Sequence, residues 1–248
     1  MQRKKLAVCT LCIGKDSDEF AKFSHGPMKN YAEKVNADFI VFATPKIKFD
    51  KATKFRNILF EKYQMYEVLE TYERALFLDT DILVTPHAPN VFDYVPEDSI
   101  GGVFEDFGST EAHRRKLIKE VQKALGNVNW TEGFINSGVF VVSACHKDIF
   151  RYYQKYGFYD GEYEQTNTNW YFRKSGFPIF SMDYRYNFEG IMRIYYGSVH
   201  RTAYFIHYAG NGIITDKPRM DQMKADFLYF YNKANYSVEN DILFEDID

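Results

Sequence analysis

One stretch decides the fold of this chain, Leu-Phe-Leu-Asp-Thr-Asp-Ile-Leu-Val at residues 76–84. A hydrophobic strand here runs directly into two carboxylates, Asp79 and Asp81, which stand two residues apart. Aspartates at the end of a buried strand are costly unless they are hydrogen-bonded or bind a cation. Open α/β sheets bind ligands at the carboxyl ends of their strands, so we expect a ligand site at this pair. Carboxylate oxygens suit Mg²⁺ or Mn²⁺, which in turn would hold a diphosphate.

The chain around this stretch alternates between strands and helices. Continuous apolar runs at residues 6–14, 38–43 and 75–78 predict strands that are covered on both faces. Helices are predicted between them at residues 19–36 and 55–72, the first bent at its Gly-Pro pair. This alternation favours a parallel sheet with helices on both faces.

The second half of the chain is less regular. Strands are predicted at residues 101–104, 138–142 and 204–207, and helices at 112–125, 147–156, 165–175 and 220–234. No repeat or flexible linker interrupts the sequence, so we expect a single domain over residues 1–248. Within it we distinguish two halves, at residues 1–84 and 85–235, and an acidic tail at 236–248.

Composition excludes several classes of protein. With 31 basic against 34 acidic residues, the chain has no surplus of positive charge with which to hold DNA or RNA. No run approaches the roughly 20 apolar residues that span a bilayer, and three cysteines are too few to cross-link a chain of this length. We therefore expect a cytoplasmic protein with no nucleic-acid partner and no transmembrane segment. Aromatic residues make up 18% of the chain, either as core rings or as stacking surfaces for sugars, especially at residues 152–170.

Two aspartates in a D-x-D pattern are compatible with more than one chemistry. A phosphatase of the haloacid-dehalogenase type uses the first aspartate as a nucleophile, but its motif continues with Thr or Val where this chain has Leu83. Such enzymes also carry the motif on the first strand, whereas here two strand-helix units precede it. A nucleotide-sugar transferase places the motif after a nucleotide-binding half, which matches this position. The pair could also be a capping aspartate beside a solvated one.

Four blocks of sequence resemble glycosyltransferase family 8, the glycogenin and lipopolysaccharide galactosyltransferase group, which has the GT-A fold. The first block, residues 74–81, contains the D-x-D, and the second, residues 134–140, is similar to the family's F-N-S-G-V segment with Ile135 inserted. The third is Glu164-Gln165, where the family usually has Asp-Gln. The fourth, residues 207–210 followed by Lys217-Pro218, is similar to the family's H-x-x-G and K-P elements. The resemblance covers residues 6–218, most of the chain. It implies a Rossmann-like mixed, mainly parallel sheet flanked by helices, with a nucleotide-binding half at residues 1–84 and a sugar and acceptor half at 85–235. It also implies transfer of a sugar, with retention, from a nucleotide diphosphate sugar such as a UDP-hexose to a saccharide or other hydroxyl acceptor.

The resemblance assigns roles to individual residues. It implies that Asp79, Asp81 and His207 bind Mn²⁺ or Mg²⁺. Further contacts to the donor are implied at Thr10, Lys62, Thr80, Asn136, Gly210 and Lys217. The candidate catalytic residues are Asp106, Glu164 and Gln165.

The route of the reaction stays open at this point. Glu164 replaces the usual aspartate with a longer side chain, and Asp160 and Glu162 lie in the same loop, so the sequence does not single out a nucleophile. A carboxylate could attack and form a covalent intermediate, or the acceptor could enter from the face that the nucleotide leaves. Besides a transferase and a Mg²⁺-dependent phosphatase, a noncatalytic nucleotide- or carbohydrate-binding protein also fits the sequence.

Overall fold

The framework of the molecule is a mixed β-sheet covered by helices. The computed structural model describes residues 4–48, 57–210 and 214–231. The strands are β1 (Lys4–Leu11), β2 (Asp38–Phe42), β3 (Tyr72–Asp79), β4 (Ile82–Val84), β5 (Ile100–Phe104), β6 (Ile135–Ser143), β7 (Ile179–Ser181) and β8 (Phe205–His207).

The central sheet has the strand order β2-β1-β3-β6-β5-β7. β1 pairs in parallel with β2 and β3, as β5 does with β7, whereas β6 is antiparallel to both β3 and β5. The predicted fold class, a mixed and mainly parallel sheet flanked by helices, is confirmed. The parallel pairing expected from the alternation in the first half holds for β1, β2 and β3, and β6 is the antiparallel strand of the mixed sheet. A continuous apolar run reports burial on both faces but carries no information about strand direction.

Helices cover both faces of this sheet. The α-helices are α1 (Lys15–Lys34), α2 (Met65–Thr71), α3 (Val91–Tyr94), α4 (Glu111–Leu125), α5 (Tyr152–Tyr156), α6 (Glu164–Ser175), α7 (Gly190–Tyr196) and α8 (Arg219–Phe230). Short 3₁₀ segments lie at Asn57–Gln64, Gly108–Thr110, Ala144–Arg151, Tyr184–Tyr186 and His200–Thr202.

Two helices differ from their predictions. α1 continues through Gly26 and Pro27, and both residues are buried, so packing offsets the hydrogen bond that the proline removes. The helix predicted at residues 55–72 is a 3₁₀ segment at Asn57–Gln64 before it becomes α-helical at α2. In that segment the Glu61 carboxylate accepts a hydrogen bond of 2.8 Å from the backbone N–H of Lys46. Tertiary contacts therefore shape this segment as much as its helical periodicity does.

Alternating side chains of β3 enter two separate hydrophobic cores. Leu76 and Leu78 face the layer that contains α1 and α8, and Phe77 faces the layer of α2, α4 and α6. Stacked rings are prominent in the second core, where the ring centroids of Phe77 and Phe140 lie 5.0 Å apart. Trp170 is fully buried there, and other rings of the 152–170 stretch pack against the same core. Much of the aromatic content thus serves packing.

Some sequence predictions fall at the margins of the described chain. The acidic tail at residues 236–248 and the last part of the helix predicted at 220–234 lie outside the described residues. Over residues 4–48, 57–210 and 214–231, no helix is both long enough and apolar enough to cross a bilayer. The cysteines Cys9, Cys12 and Cys145 are free thiols.

Candidate active site

Three side chains from distant parts of the chain form a cluster suited to a metal ion. Asp79 ends β3, Asp81 precedes β4, and His207 ends β8, and one ligand atom of each lies within 4.8 Å of the others. β4 and β8 form a separate antiparallel pair in which Ile82 stands opposite His207. This pairing brings the histidine to the two aspartates that follow the central sheet. The three residues that the resemblance implied as ligands therefore meet.

Hydrogen bonds fix the orientation of the His207 ring. The Asn187 amide donates to Asn136 Oδ1 at 3.1 Å, so Asn187 Oδ1 is left to accept the Nδ1–H of His207 at 2.9 Å. The other ring nitrogen, Nε2, lies 3.3 Å from Asp81 Oδ1. Metal-binding histidines commonly donate their second N–H in this way, which turns the remaining lone pair toward the ion. A cation between Nε2 and the carboxylates would satisfy all of these atoms, so the donor set fits a divalent metal.

Gly138 makes room for this ring. A Cβ atom at residue 138 would lie 2.3 Å from His207 Cε1, well inside contact distance. The backbone N–H of Gly138 also donates to Asn136 Oδ1 at 2.9 Å. The glycine of the F-N-S-G-V-like block is thus required by the close approach of β6 to the metal cluster.

A buried lysine joins the metal cluster to the catalytic candidates. Lys62 Nζ lies 3.0 Å from Asp79 Oδ1 and 2.8 Å from Glu164 Oε1, and its side chain is only 3% exposed. Burial alone would lower the pKa of Lys62, but the two carboxylates raise it above its usual range. The Ser137 hydroxyl donates to the same Glu164 oxygen at 2.8 Å. Lys62 is therefore a permanent cation, and it holds Glu164 in place.

The two aspartates have different electrostatic surroundings. Burial raises the pKa of Asp79 above its usual value, although the Lys62 ammonium opposes this effect. Burial would raise the pKa of Asp81 too, but His207 and Arg219 lower it below its usual value. The guanidinium of Arg219 donates to Asp81 Oδ2 through Nη2. Arg219 was not predicted from the sequence.

A network of buried polar side chains lies beside the cluster. The Asn136 amide donates to Glu105 Oε2 at 3.0 Å and to Glu189 Oε2 at 3.2 Å. The Gln165 amide donates to Glu105 Oε1 at 2.7 Å, and Arg114 forms an ion pair with that same oxygen at 2.7 Å. Two predicted residues, Asn136 and Gln165, are thus brought together. Glu105 and Glu189, which were not predicted, connect to them.

Asp106 lies next to this network but is engaged elsewhere. Its carboxylate accepts hydrogen bonds from the backbone N–H groups of Gly133 (2.8 Å) and Phe134 (2.7 Å), and it pairs with Arg115 at 3.2 Å. These contacts shape the loop that leads into β6. The carboxylate that contacts Asn136 and Gln165 belongs to the preceding residue, Glu105. Two adjacent acids look equivalent in sequence, and only the alternation of side chains near the end of β5 could have distinguished them.

The remaining predicted donor contacts have four different environments. Thr10 is fully buried, and its hydroxyl has no hydrogen-bond partner among the described residues. The Thr80 hydroxyl donates to the carbonyl of Leu11, which ties the D-x-D loop to the end of β1. Gly210 has a φ of +47°, and no atom of the described residues lies within 4 Å of where its Cβ would be. Lys217 is exposed.

An open cleft of about 480 Å³ adjoins the aspartates. Its walls come from the end of β1, the first turns of α1, the 3₁₀ segment at Asn57–Gln64 and the D-x-D loop, with Arg219 and Met220 at one end. This volume is in the range of small-molecule sites. The cleft lies at the carboxyl end of the parallel strands, where the sequence predicted a ligand.

Comparison with known proteins identifies the fold. No protein-family model and no curated protein matches this sequence. Among solved structures, galactosyltransferase LgtC in complex with donor and acceptor sugar analogues has a TM-score of 0.59 at 11% identity, over 91% of this chain and 96% of that one. A glycosyltransferase involved in glycosylation of the major capsid of PBCV-1 has a TM-score of 0.57 at 13% identity, over 90% and 98%. The bifunctional glycosyltransferase WbbM has a TM-score of 0.56 at 12% identity, over 90% and 51%. The chain therefore has the GT-A glycosyltransferase fold that its sequence resemblance implied.

Proposed function

We propose that this protein is a metal-dependent glycosyltransferase that moves a hexose from a UDP-hexose to a hydroxyl acceptor with retention. The observation that carries the proposal is the Asp79–Asp81–His207 cluster, which lies between a nucleotide-sized cleft and a buried polar network. A nucleotide diphosphate sugar needs these three parts in this order. The cleft takes the nucleotide, the cluster faces the diphosphate, and the network faces the sugar.

The proposed cofactor is Mn²⁺, with Mg²⁺ as the second choice. Two carboxylates and a neutral imidazole suit Mn²⁺ better than an all-oxygen set would, because nitrogen ligands favour the softer ion. When bound, the metal ion would act as a Lewis acid that neutralises charge on the departing diphosphate. Asp79 and Asp81 would hold it from one side, and Asn187 would keep His207 Nε2 directed at it from the other.

On the sugar side, we assign donor contacts to Asn136, Gln165 and Glu105. Gln165 keeps one amide hydrogen and one oxygen lone pair for sugar hydroxyls, while Glu105 holds its amide in place. Asn136 donates to Glu105 and Glu189 and accepts from Gly138 and Asn187, so a sugar hydroxyl would replace one of these partners. Thr10, Thr80, Gly210 and Lys217 remain proposed donor contacts on the strength of the resemblance. Asp106 would support the site through the loop before β6.

The contacts of Glu164 favour a route without a covalent enzyme intermediate. One of its oxygens binds both the Lys62 ammonium, at 2.8 Å, and the Ser137 hydroxyl, at 2.8 Å. Both contacts stabilise the carboxylate and so weaken it as a nucleophile. We therefore propose that the acceptor hydroxyl attacks from the face that the diphosphate leaves, with Gln165 and Glu164 supporting the positive charge that develops on the sugar.

The test is turnover of the donor in the presence of Mn²⁺. UDP-glucose and UDP-galactose are incubated with the protein, release of UDP is followed, and NMR of the freshly released sugar reports its anomer. We expect Mn²⁺-dependent UDP release with an α-sugar product. Asp79→Asn and Asp81→Asn should each lower the rate by roughly 100-fold or more. Asp148→Asn changes an exposed aspartate in the same way and should have no effect.

Other outcomes would support the competing functions. If Asp79→Asn and Asp81→Asn kept full metal-dependent turnover, the assignment would be wrong. Release of phosphate from simple phosphomonoesters without a sugar nucleotide would favour the phosphatase, although here the D-x-D ends β3 rather than β1. Binding of UDP with no consumption of any donor would favour a noncatalytic binding protein. The cytoplasmic location expected from the sequence stays a prediction.

A further inference from the structure

Arg219 lies at the border between the metal cluster and the nucleotide cleft. It is the first residue of α8, and its guanidinium stacks over the Phe20 ring at 4.5 Å. Phe20 and Arg219 both line the cleft, and the arginine side chain is 37% exposed. Its Nε has no hydrogen-bond partner among the described residues. The Nε atom is buried, so the donors open to a ligand are those on the exposed part of the guanidinium, which lines the cleft.

Asp81 connects this arginine to the metal cluster. Its Oδ1 faces His207 Nε2 at 3.3 Å, whereas its Oδ2 accepts from Arg219 Nη2. The two oxygens of one carboxylate therefore serve different partners. Arg219 can hold the carboxylate from behind while Oδ1 points into the cluster, so the arginine does not have to leave when a cation binds.

We propose that Arg219 has two linked roles: it positions Asp81 for the cation, and it binds the β-phosphate of the nucleotide donor. The inference rests on the proposed function, since it requires a divalent cation and a nucleoside diphosphate. An arginine suits the task, because its planar group carries donors on more than one edge and binds phosphate and carboxylate alike. A diphosphate bound to a cation at the cluster would lie within reach of the guanidinium, because Asp81 is both a member of the cluster and the partner of Arg219.

Lys217, the residue that the resemblance implies for the diphosphate, has a different environment. It is exposed and is not among the residues that line the cleft. Its backbone carbonyl accepts from Gln222 and its backbone N–H donates to the Thr215 hydroxyl at 3.3 Å. The positive charge that the cleft presents next to Asp81 is that of Arg219. Lys224 supplies a matched control, because it is an exposed basic residue on α8 that does not line the cleft.

The experiment measures binding by isothermal titration calorimetry with three probes: Mn²⁺ alone, UDP in saturating Mn²⁺, and UMP in saturating Mn²⁺. Arg219→Met should weaken Mn²⁺ binding by about 10- to 100-fold, because a ligand loses its supporting partner. It should also weaken UDP by roughly 10-fold more than UMP, which lacks the β-phosphate. Arg219→Lys keeps the positive charge but lacks the planar guanidinium, so its UDP affinity should lie between those of Arg219→Met and wild type. Lys224→Met removes an exposed charge from the same helix and should leave all three affinities within about twofold of wild type.

Three results would overturn the inference. One is unchanged Mn²⁺ and UDP affinity in Arg219→Met. Another is an equal loss for UDP and UMP together with a lower unfolding temperature, which would make Arg219 a structural residue only. The third is a selective loss of UDP affinity in Lys217→Met but not in Arg219→Met. Failure of the wild-type protein to bind UDP in Mn²⁺ would instead refute the proposed function itself.

Discussion

Gly138→Ala is the substitution whose effect on the metal cluster follows most directly from the structure. It adds one methyl group on β6, at a point where an ideal Cβ would lie 2.3 Å from His207 Cε1 and 2.9 Å from Nδ1. Carbon atoms in contact need roughly 3.5 Å, so the imidazole must move by about 1 Å. The backbone of β6 cannot yield easily, because it pairs with β3 on one side and with β5 on the other.

Displacement of the ring should weaken metal binding while the protein stays folded. Moving the ring breaks the 2.9 Å hydrogen bond between His207 Nδ1 and Asn187, the contact that directs Nε2 at the aspartates. Loss of such a supporting partner costs about 10- to 100-fold in metal affinity. Inserting one carbon into a packed interior costs about 1–3 kcal/mol of stability. We therefore expect a folded protein with weak Mn²⁺ binding.

The assay is Mn²⁺ titration calorimetry combined with urea unfolding. A second pair of proteins, His207→Ala with and without Gly138→Ala, supplies the control. Once the ring is gone, the nearest atom to the added methyl is Asn136 Oδ1 at 3.0 Å, a much milder approach, so the methyl should change affinity and stability far less than it does in the wild-type background. Wild-type Mn²⁺ affinity in Gly138→Ala would refute the reasoning. So would a full second loss of stability in the double variant.

Three other substitutions test the buried charges. Lys62→Met leaves two buried carboxylates without their shared cation and should cost about 3–5 kcal/mol in urea unfolding. Burial and the adjacent Glu105 raise the pKa of Glu189 well above its usual range, so stability should fall as the pH rises above that range. Glu189→Gln should reduce this loss of stability with pH. If the urea midpoint of Glu189→Gln fell with pH as much as that of the wild type, Glu189 would not be its source. At Asp226, hydrogen bonds from His200 and Arg201 outweigh burial and lower the pKa. Its contribution should be present above about pH 4 and disappear at lower pH, and Asp226→Asn should flatten that acid limb of the urea midpoint.

Local patterns in the sequence predicted the elements that carry the site. The apolar run that ends at Asp79 and Asp81 predicted both β3 and a ligand at its carboxyl end, and the structure places the cluster and the cleft there. The positions of Asn136 and Gln165 came from short blocks of resemblance, and the two side chains do meet through Glu105. These predictions succeeded because a contiguous run of residues is enough to show that a strand is buried and where it ends.

Other parts of the site could not be predicted in this way. Glu105 and Asp106 are neighbours of the same chemical type, and only the path of the chain after β5 directs one into the network and the other to the loop before β6. Glu189 joins the network because Phe188 bridges to β8, a contact that has no local signal. The 3₁₀ segment that carries Lys62 looks like an ordinary helix in its periodicity. Its tertiary contacts, such as the ion pair between Lys62 and Asp79, accompany a 3₁₀ conformation instead.

The sequence by itself determined the class of fold, the strand that ends in two carboxylates, and the kind of cation that such oxygens attract. The tertiary structure alone decided how distant side chains reach these carboxylates, and it added Arg219, which the sequence did not predict. The β4–β8 pairing delivers His207 to Asp81, and the start of α8 delivers Arg219 to the same carboxylate. The reason is physical: burial and strand ends depend on neighbours in sequence, whereas a charged pair depends on the register of elements that lie far apart in the chain.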